Sequence, residues 1–561
     1  MSDRRSTPEL IARLNGRMAG LRTDRYSWWL SWAEIAQYIL PRRYRWLVTP
    51  NQMNRGLPLN GAILDSTGTI AARNCAGGLM AGMSNPSRPW FKLEIEGVDR
   101  DDTNEGAIWL DEVEKRMMRV LQESNFYNAI AVLYMDLTVF NTATMLIYED
   151  FEDVIRCYNP CAGEYYLANS DRMIVDSFYR EFINSVAQVG ERWDTENMST
   201  GTQEALRAGG AALTREVAIC HAIEPNDGTF GIPDKFKWRE IYWERGFSDK
   251  ALEVRGFYEF PCIAPRWDVV GNDAYGRGPG MDALPDIKQL QQETKRKAQA
   301  IDKMVNPPMI ADVQMKNQPA SLIPGGITFV AGLTQTGNPG MRPIYQVTPQ
   351  IEHMMKDIQE IQARIGRIFF NDLFLMISEL NTVRSATEID ARREEKIVML
   401  GPVIERFENE ALDPALRRVF AIMGRANLLP QAPPSIQGRD INVRYVSMLA
   451  QAQKAVQTAP MERILAVAGN MSAVYPDIKD VVNPDRTIRI MQGNLGAPPL
   501  MMNSPEEVAQ IREARNAAMQ AQAQAAQLGA LAQGAQTLSE TDVGGGKNAL
   551  SALLGTSGGG V

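Results

Sequence analysis

The chain has 561 residues, too many for one simple core, so several domains or subdomains are expected. Hydrophobic residues make up 45% and charged residues 22%, the balance of a folded soluble protein. The formal net charge of −8 argues against a protein whose whole surface grips nucleic acid, but not against one that handles DNA without holding it.

No stretch is apolar for long enough to span a bilayer. The nearest, Thr69 to Met83, is short, glycine-rich and interrupted by Arg73. The start, MSDRRSTPELIARL, has no apolar signal core, so no export is expected. Five cysteines in a chain this large argue against a disulfide framework and for a reducing cytoplasm.

Residues 7 to 40 read as two helices, the second carrying Trp28, Trp29, Trp32, Ile35 and Ile39 and stopping at Pro41. The basic PRRYRW, Pro41 to Trp46, could touch a phosphate or an acidic neighbour, but as a lone cluster it reads as a solvated turn. Asp65 to Met83 predicts a helix of small residues in a crowded interior, broken by NPSRPW. Phe91, Leu93 and Ile95 alternate with charged residues, a strand with one buried face. Helices return over 104 to 140. From Thr144 to about Phe260 the pattern is mostly strands, with one helical interlude at FINSVAQVGERW. This part is α+β.

YGRGPG, Tyr275 to Gly280, reads as loop. Leu284 to Val305 predicts a helix, with Lys288, Lys295, Lys297 and Lys303 among its polar residues. Residues 306 to 350, rich in Pro and Gly, suggest a small β excursion. The helix from Ile351 then returns, so two helices flank a small module. Ile351, Met354, Ile358, Ile361, Ile365 and Ile368 recur at steps of three and four, a seam that calls for a partner helix. A break is expected at Leu373 to Arg384. Ser385 and Glu388 form a capping box that opens a second, longer helix, which Gly401-Pro402 should kink. Ser504-Pro505-Glu506-Glu507 starts an Ala/Gln-rich helix running to about Leu538, and a glycine-rich tail follows.

No catalytic constellation stands. His221 and His353 are the only histidines. Cys157 and Cys161 have no second pair at zinc-finger spacing and read as free thiols. GGGK at Gly544 to Lys547 lacks the rest of a phosphate-binding loop, and GTSGG at Gly555 lacks the strand and helix of a nucleophile elbow. The acidic run Glu149 to Asp153 reads as a solvated hairpin tip. No cofactor, metal or enzymatic activity is expected.

WAEIAQYILPRR, DSTGTIAARNCAGGLMAGMSNPSRPWFKL, YGRGPGMDALPDIKQL, NPPMIADV with PGGIT, and SATEIDARREEKIVMLGPVIERFENEALDPALRR occur in this order and spacing. Together they resemble the head-to-tail connecting, or portal, proteins of short-tailed bacteriophages. The resemblance implies a helix-rich α+β subunit in a twelve-membered ring at one capsid vertex. That ring is the conduit for packaging and ejecting double-stranded DNA, and the docking platform for the terminase large subunit and then for tail adaptor and nozzle proteins. Major capsid and scaffolding proteins are further implied partners, with no membrane, and assembly takes place in the host cytoplasm.

The implied division is a wing over 1–280, stem helices over 281–305 and 351–372, a clip over 306–350 and a channel loop over 373–384. A kinked wing helix and crown over 385–500, a helical barrel over 501–540 and a disordered tail over 541–561 follow. The channel loop comprises Leu373, Phe374, Leu375, Met376, Ile377, Ser378, Glu379, Leu380, Asn381 and Arg384; its apolar character offers phosphates little to grip. The four stem lysines named above are candidates for transient contact with DNA, with solvent or a carboxylate as the alternative. On this reading each subunit hides its isoleucine seam against its neighbours in the ring. The competing readings are another helical virion assembly protein, scaffold or coat, and a DNA-packaging enzyme, which would need a phosphate-binding loop or carboxylate metal cluster.

Overall fold

A computed structural model describes residues 7–48, 60–95, 104–228, 232–305, 309–311, 341–343, 350–378, 400–434, 441–445 and 505–540, with isolated positions between 465 and 488 and at 549. The chain divides into two units. The first comprises Met1–Leu93, Glu112–Gln431 and Val443–Val481, the second Glu94–Asp111, Ala432–Asn442 and Val482–Val561.

The chain opens with α1 (Thr7–Asp24), α2 (Tyr26–Tyr38) and α3 (Pro41–Val48). The basic PRRYRW is therefore a helix, not a turn. Proline at a first helical position needs no N–H, so Pro41 starts a helix as readily as it ends one. Arg43 of α3 lies 3.2 Å from the buried carboxylate of Asp136. Burial pushes Asp136 up to about 6 against the pull of Arg43. Small residues let α4 (Thr67–Met83) sit deep in the unit, with Ala71, Ala72, Cys75, Ala76 and Leu79 buried. After β1 (Phe91–Ile95) and α5 (Asn104–Glu123), the almost wholly apolar α6 (Phe126–Phe140) runs through the core. The indole of Trp32 donates to Phe140 O at its end.

The strand-rich part contains β2 (Met145–Asp150), β3 (Val154–Tyr158), β4 (Tyr165–Asn169), β5 (Val175–Ser185), α7 (Val186–Arg192), α8 (Thr200–Ala208), β6 (Glu216–Pro225), β7 (Trp238–Glu244), β8 (Glu253–Phe257) and β9 (Cys262–Ile263). FINS belongs to β5, and the helix starts only at Ser185, whose side chain and Gln188 form a capping box. α8 was not foreseen. Strands β4 to β8 form one antiparallel sheet in sequence order; β3, β2 and β9 form a second.

Alternation gives the larger sheet two buried faces. On one, Leu10, Ile11, Leu14 and Met18 of α1 cover Tyr166, Tyr179, Cys220, Ile241 and Trp243. On the other, Val186, Val189 and Trp193 pack with Val217, Ile219 and Tyr242. The acidic tip between β2 and β3 is a turn in which Asp150 accepts the amides of Glu152 and Asp153. All five cysteines are buried free thiols.

Next come α9 (Pro279–Val305), β10 (Met309–Ala311), β11 (Met341–Pro343), α10 (Ile351–Ile368) and α11 (Asn371–Ser378). A helix follows over 400–425, interrupted by a π-turn at Glu408–Leu412. The capping box at Ser385 and Glu388 lies outside the described residues. In the second unit, the helix Pro505–Glu540 starts where the Ser-Pro-Glu-Glu signal puts it. Arg512 near its start grips Asp485 through two bonds of 2.6 Å. Its described side chains are almost all exposed.

Candidate functional site

The feature most unlike an ordinary core is the hairpin of α9 and α10. α9 begins at Pro279, earlier than the glycine-rich loop suggested, because Gly280 lies against α6 where no side chain fits. A Cβ there would stand 1.8 Å from Val139 O. Ala283, Ile287, Leu290 and Gln291 then recur on one buried face. α10 answers with Ile358, Ile361 and Ile365. Arg364 donates to Asp286 at 3.0 Å, and Met309 pairs with Pro343 beyond the other end, so the two helices run antiparallel.

A polar pin holds the hairpin to the start of α4. The carboxamide oxygen of buried Gln291 accepts the amides of Leu64 (2.6 Å) and Asp65 (2.8 Å), and its nitrogen donates to Asp65 O (2.9 Å). Gln362 donates to the Asp65 carboxylate at 2.8 Å. Partial burial raises the Asp65 pKa, but bonds from Thr67 and Gln362 and the charge of Lys297 outweigh it, leaving the group below its usual range. Two glycines of α4 make room. A Cβ on Gly68 would meet Ile287 at 2.7 Å, and one on Gly78 would meet the Phe374 ring at 2.2 Å.

The isoleucine seam is therefore real, but its covering is internal. Ile358, Ile361 and Ile365 are buried within the chain, Ile351, Met354 and Ile368 half-buried. This corrects the expectation that neighbours hide this stripe. A heptad repeat says that a partner exists, not which chain supplies it. What stays uncovered is elsewhere on the hairpin's far half: Ile301, Met304, Val305 and Met355 are exposed.

The expected break does not begin at Leu373. α10 ends at Phe369-Phe370, with Phe370 left-handed at φ 55°, and the chain is helical again from Asn371 to Ser378. Leu373 and Phe374 are core residues of α11, buried at 1% and 6% exposure, not loop. Their apolar character has the ordinary cause, packing on α4. Leu375, Met376, Ile377 and Ser378 are helical in backbone; Glu379, Leu380, Asn381 and Arg384 lie outside the described residues.

Of the four lysines, Lys288 is engaged with Glu34 at 2.7 Å, half-buried Lys297 lies near Asp65, and Lys295 and Lys303 are exposed. Between 306 and 350 the description covers only β10, β11 and residue 350.

Sequence reasoning missed the parts that lock the hairpin's joint. Buried Arg266 donates to both carboxylate oxygens of Glu410 inside the π-turn. Trp267 stacks on Phe370 with ring centres 6.2 Å apart. The π-turn has a local cause in Pro414, whose ring would collide with Glu410 C=O in an unbroken α-helix. The signal was present as Asp413-Pro414; Gly401-Pro402 also lies within the described helix.

None of this is reaction chemistry. Among the described residues no group of His, Cys, Asp and Glu is placed to hold a metal ion. Burial pushes the thiols of Cys75, Cys157, Cys161 and Cys220 up to about 12. Burial also keeps His221 neutral, its pKa lowered to about 4, with its ring sealed between Arg180 and Glu240. No described helix is long and apolar enough to cross a membrane. The arrangement can hold, orient and dock.

A family profile described as "Bacteriophage head to tail connecting protein" matches residues 12–502. The chain is 39% identical over 529 residues to the "Probable portal protein" of Bordetella phage BPP-1, covering 93% of this chain and 94% of that one. It is 40% identical over 535 residues to the "Portal protein" of Salmonella phage epsilon15, covering 94% and 95%.

Proposed function

The chain belongs to the bacteriophage head-to-tail connecting proteins, and from that premise we propose that it is the portal subunit of a closed ring at one capsid vertex. The observation that carries this is the near-full-length similarity to two proteins named as portals. As a portal it is a virion component that joins head and tail. In our reading twelve copies surround a channel through which double-stranded DNA is packaged and later ejected. The ring docks the terminase large subunit and then the tail adaptor and nozzle proteins. It performs no catalysis of its own.

Three features support the finer reading. The α9–α10 hairpin ends in a β10–β11 pair and has an uncovered apolar far half, the form of a stem with a clip at its tip. Identical neighbours in a ring would cover Ile301, Met304, Val305 and Met355, rather than the isoleucine seam. The net charge of −8 per chain suits a wall that lets a polyanion slide. Within the stem, Lys295 and Lys303 keep free positions from which to touch phosphates in passing, and the channel segment begins beyond Phe374.

Negative-stain electron microscopy of the purified full-length chain tests the reading. Closed rings with a central hole are expected. A well-folded monomer at high concentration would overturn it, and shells would mean a coat protein instead.

A further inference from the structure

Two irregular joints bracket residues 371–407. One is Phe369-Phe370, where a bulky residue sits in the left-handed region at φ 55°. Such a conformation is strained for a residue with a side chain and persists only where its surroundings hold it. The other is the π-turn at Glu408–Leu412, a type of defect common at functional sites.

Two consecutive residues touch both. Arg266 gives its backbone amide (2.9 Å), Nε (3.2 Å) and Nη2 (2.6 Å) to the Glu410 carboxylate. Trp267 lays its ring along Phe370. The dipeptide itself is fixed. Trp267 N donates to Asn141 O at 2.9 Å, Arg266 bridges to Thr142, and Gly278 presents no Cβ to the indole. The guanidinium also holds the carbonyls of Met173 and Asp273.

We propose that Arg266 and Trp267 are positioning residues that couple the α10–α11 joint to the π-turn, so that the two joints loosen or change register together. The two side chains share one backbone seat, so loss of either grip loosens that seat and the other grip with it. The coupling is a property of the folded chain. Only its use, keeping both ends of the channel segment in step, rests on the portal reading.

The test is amide exchange by mass spectrometry on the full-length chain, read over 365–374 and over 408–416. Glu410→Gln removes the ionic grip without changing shape. It should speed exchange at the α10–α11 joint, which Glu410 does not touch in any bond described above, by about tenfold. Trp267→Leu should do the same at the π-turn, and the double variant should add less than the sum. Effects confined to the joint each residue touches, or strict additivity, would overturn the coupling. Should Glu410→Gln fail to fold, Arg266→Lys serves as the second variant, with the same readout. Ring formation is scored separately, so its absence would count against the portal reading and leave the exchange result standing.

Discussion

The five-stranded sheet and the α9–α10 hairpin differ in what is buried beside their apolar side chains. In the sheet it is charge. Buried Glu224 accepts Arg13, Arg17 (3.0 Å), Arg239 (2.9 Å) and the Tyr179 hydroxyl (2.5 Å), tying α1 to β5, β6 and β7. On the other face buried Glu240 accepts Tyr148, Tyr242, Arg255 and His221. In the hairpin, aliphatic side chains interlock and Gln291 is the central polar pin. A buried carboxylate with four donors tolerates no slip in register, because any slip strands a charge. An aliphatic seam tolerates small shifts at small cost. The sheet is thus built as a fixed frame. The hairpin is anchored at one half and leaves apolar side chains of the other half exposed.

The largest effect expected from this contrast is on the frame. Glu240→Ala should cost about 3–5 kcal/mol, since it leaves Arg255, His221 and two hydroxyls without their shared acceptor. In a chain of two units a single unfolding free energy is poorly defined, so amide exchange of β6 and β7 is the measurement. Ile365→Ala in the seam comes next, at about 3 kcal/mol for a buried aliphatic replaced by a cavity. Its exchange signature should stay within α9, α10 and α4. Loss of protection in the sheet on Ile365→Ala would break the contrast.

Acid sharpens it further. His221 binds protons more weakly folded than unfolded, its value depressed from 6.5 to about 4 by burial. Its contribution is therefore present above about pH 6.5 and lost as pH falls toward 4, a change of about 3 kcal/mol. Burial raises Glu240, but bonds from His221, Arg255 and Tyr148 lower it more, to about 2, so its contribution fades only below about 4.5. Asp136 acts in the opposite sense. Raised to about 6, it favours the folded state below its unfolded value of 3.8, and that benefit is lost as pH rises through 6. Lowering pH from 7 to 4.5 should reduce protection factors, taken relative to the slower intrinsic exchange in acid, more in β6 and β7 than in α10, and His221→Gln should flatten the difference.

How much of this the sequence disclosed follows the same divide. The α+β order, most strands and the helices α9 and α10 were legible because period two and period 3.6 each have one cause. The isoleucine repeat announced a stripe with a partner, and Ile358, Ile361 and Ile365 at its centre are buried. Its partner was not legible, since α9 and α4 reach it only through the tertiary fold. The break at Phe369-Phe370 carries no glycine or proline and is stabilised by the stacked Trp267 from 103 residues earlier in the chain. Alternation alone does not mark Glu224, Arg239 and Glu240 as buried; Arg239 pairs with Glu224, and His221 and Arg255 with Glu240, and that pairing lets them be buried. α3 was misread because Pro41 marks a helix start and a helix stop equally well.

Within the anchored half, Gly78 marks how closely α4 and α11 approach. Gly78→Ala forces the Phe374 ring aside and should cost about 1–3 kcal/mol through overpacking. Gly77, one residue earlier, has open space at its Cβ position, so Gly77→Ala is the matched control and should be neutral or slightly stabilising through helix propensity. Equal effects at the two positions would mean that α11 does not rest on α4 as described.

The smallest effect on the isolated chain belongs to the uncovered half, and there the contrast is most exposed to failure. Ile301 is 41% and Val305 77% accessible, so neither loses much packing when made polar. Ile301→Ser with Val305→Ser should change the stability of the monomer by no more than about 0.5 kcal/mol, the usual range for surface positions. If identical neighbours cover this surface in a ring, the same double substitution repeats at every interface, and a small loss per contact multiplies around the circle. Rings should then be lost from electron micrographs while amide exchange of α9, α10 and the sheet stays unchanged. Rings that persist would place the subunit contacts on other surfaces. A destabilised monomer would mean that the far half is bound within the chain after all, and that the division of the hairpin into an anchored and a free half is wrong.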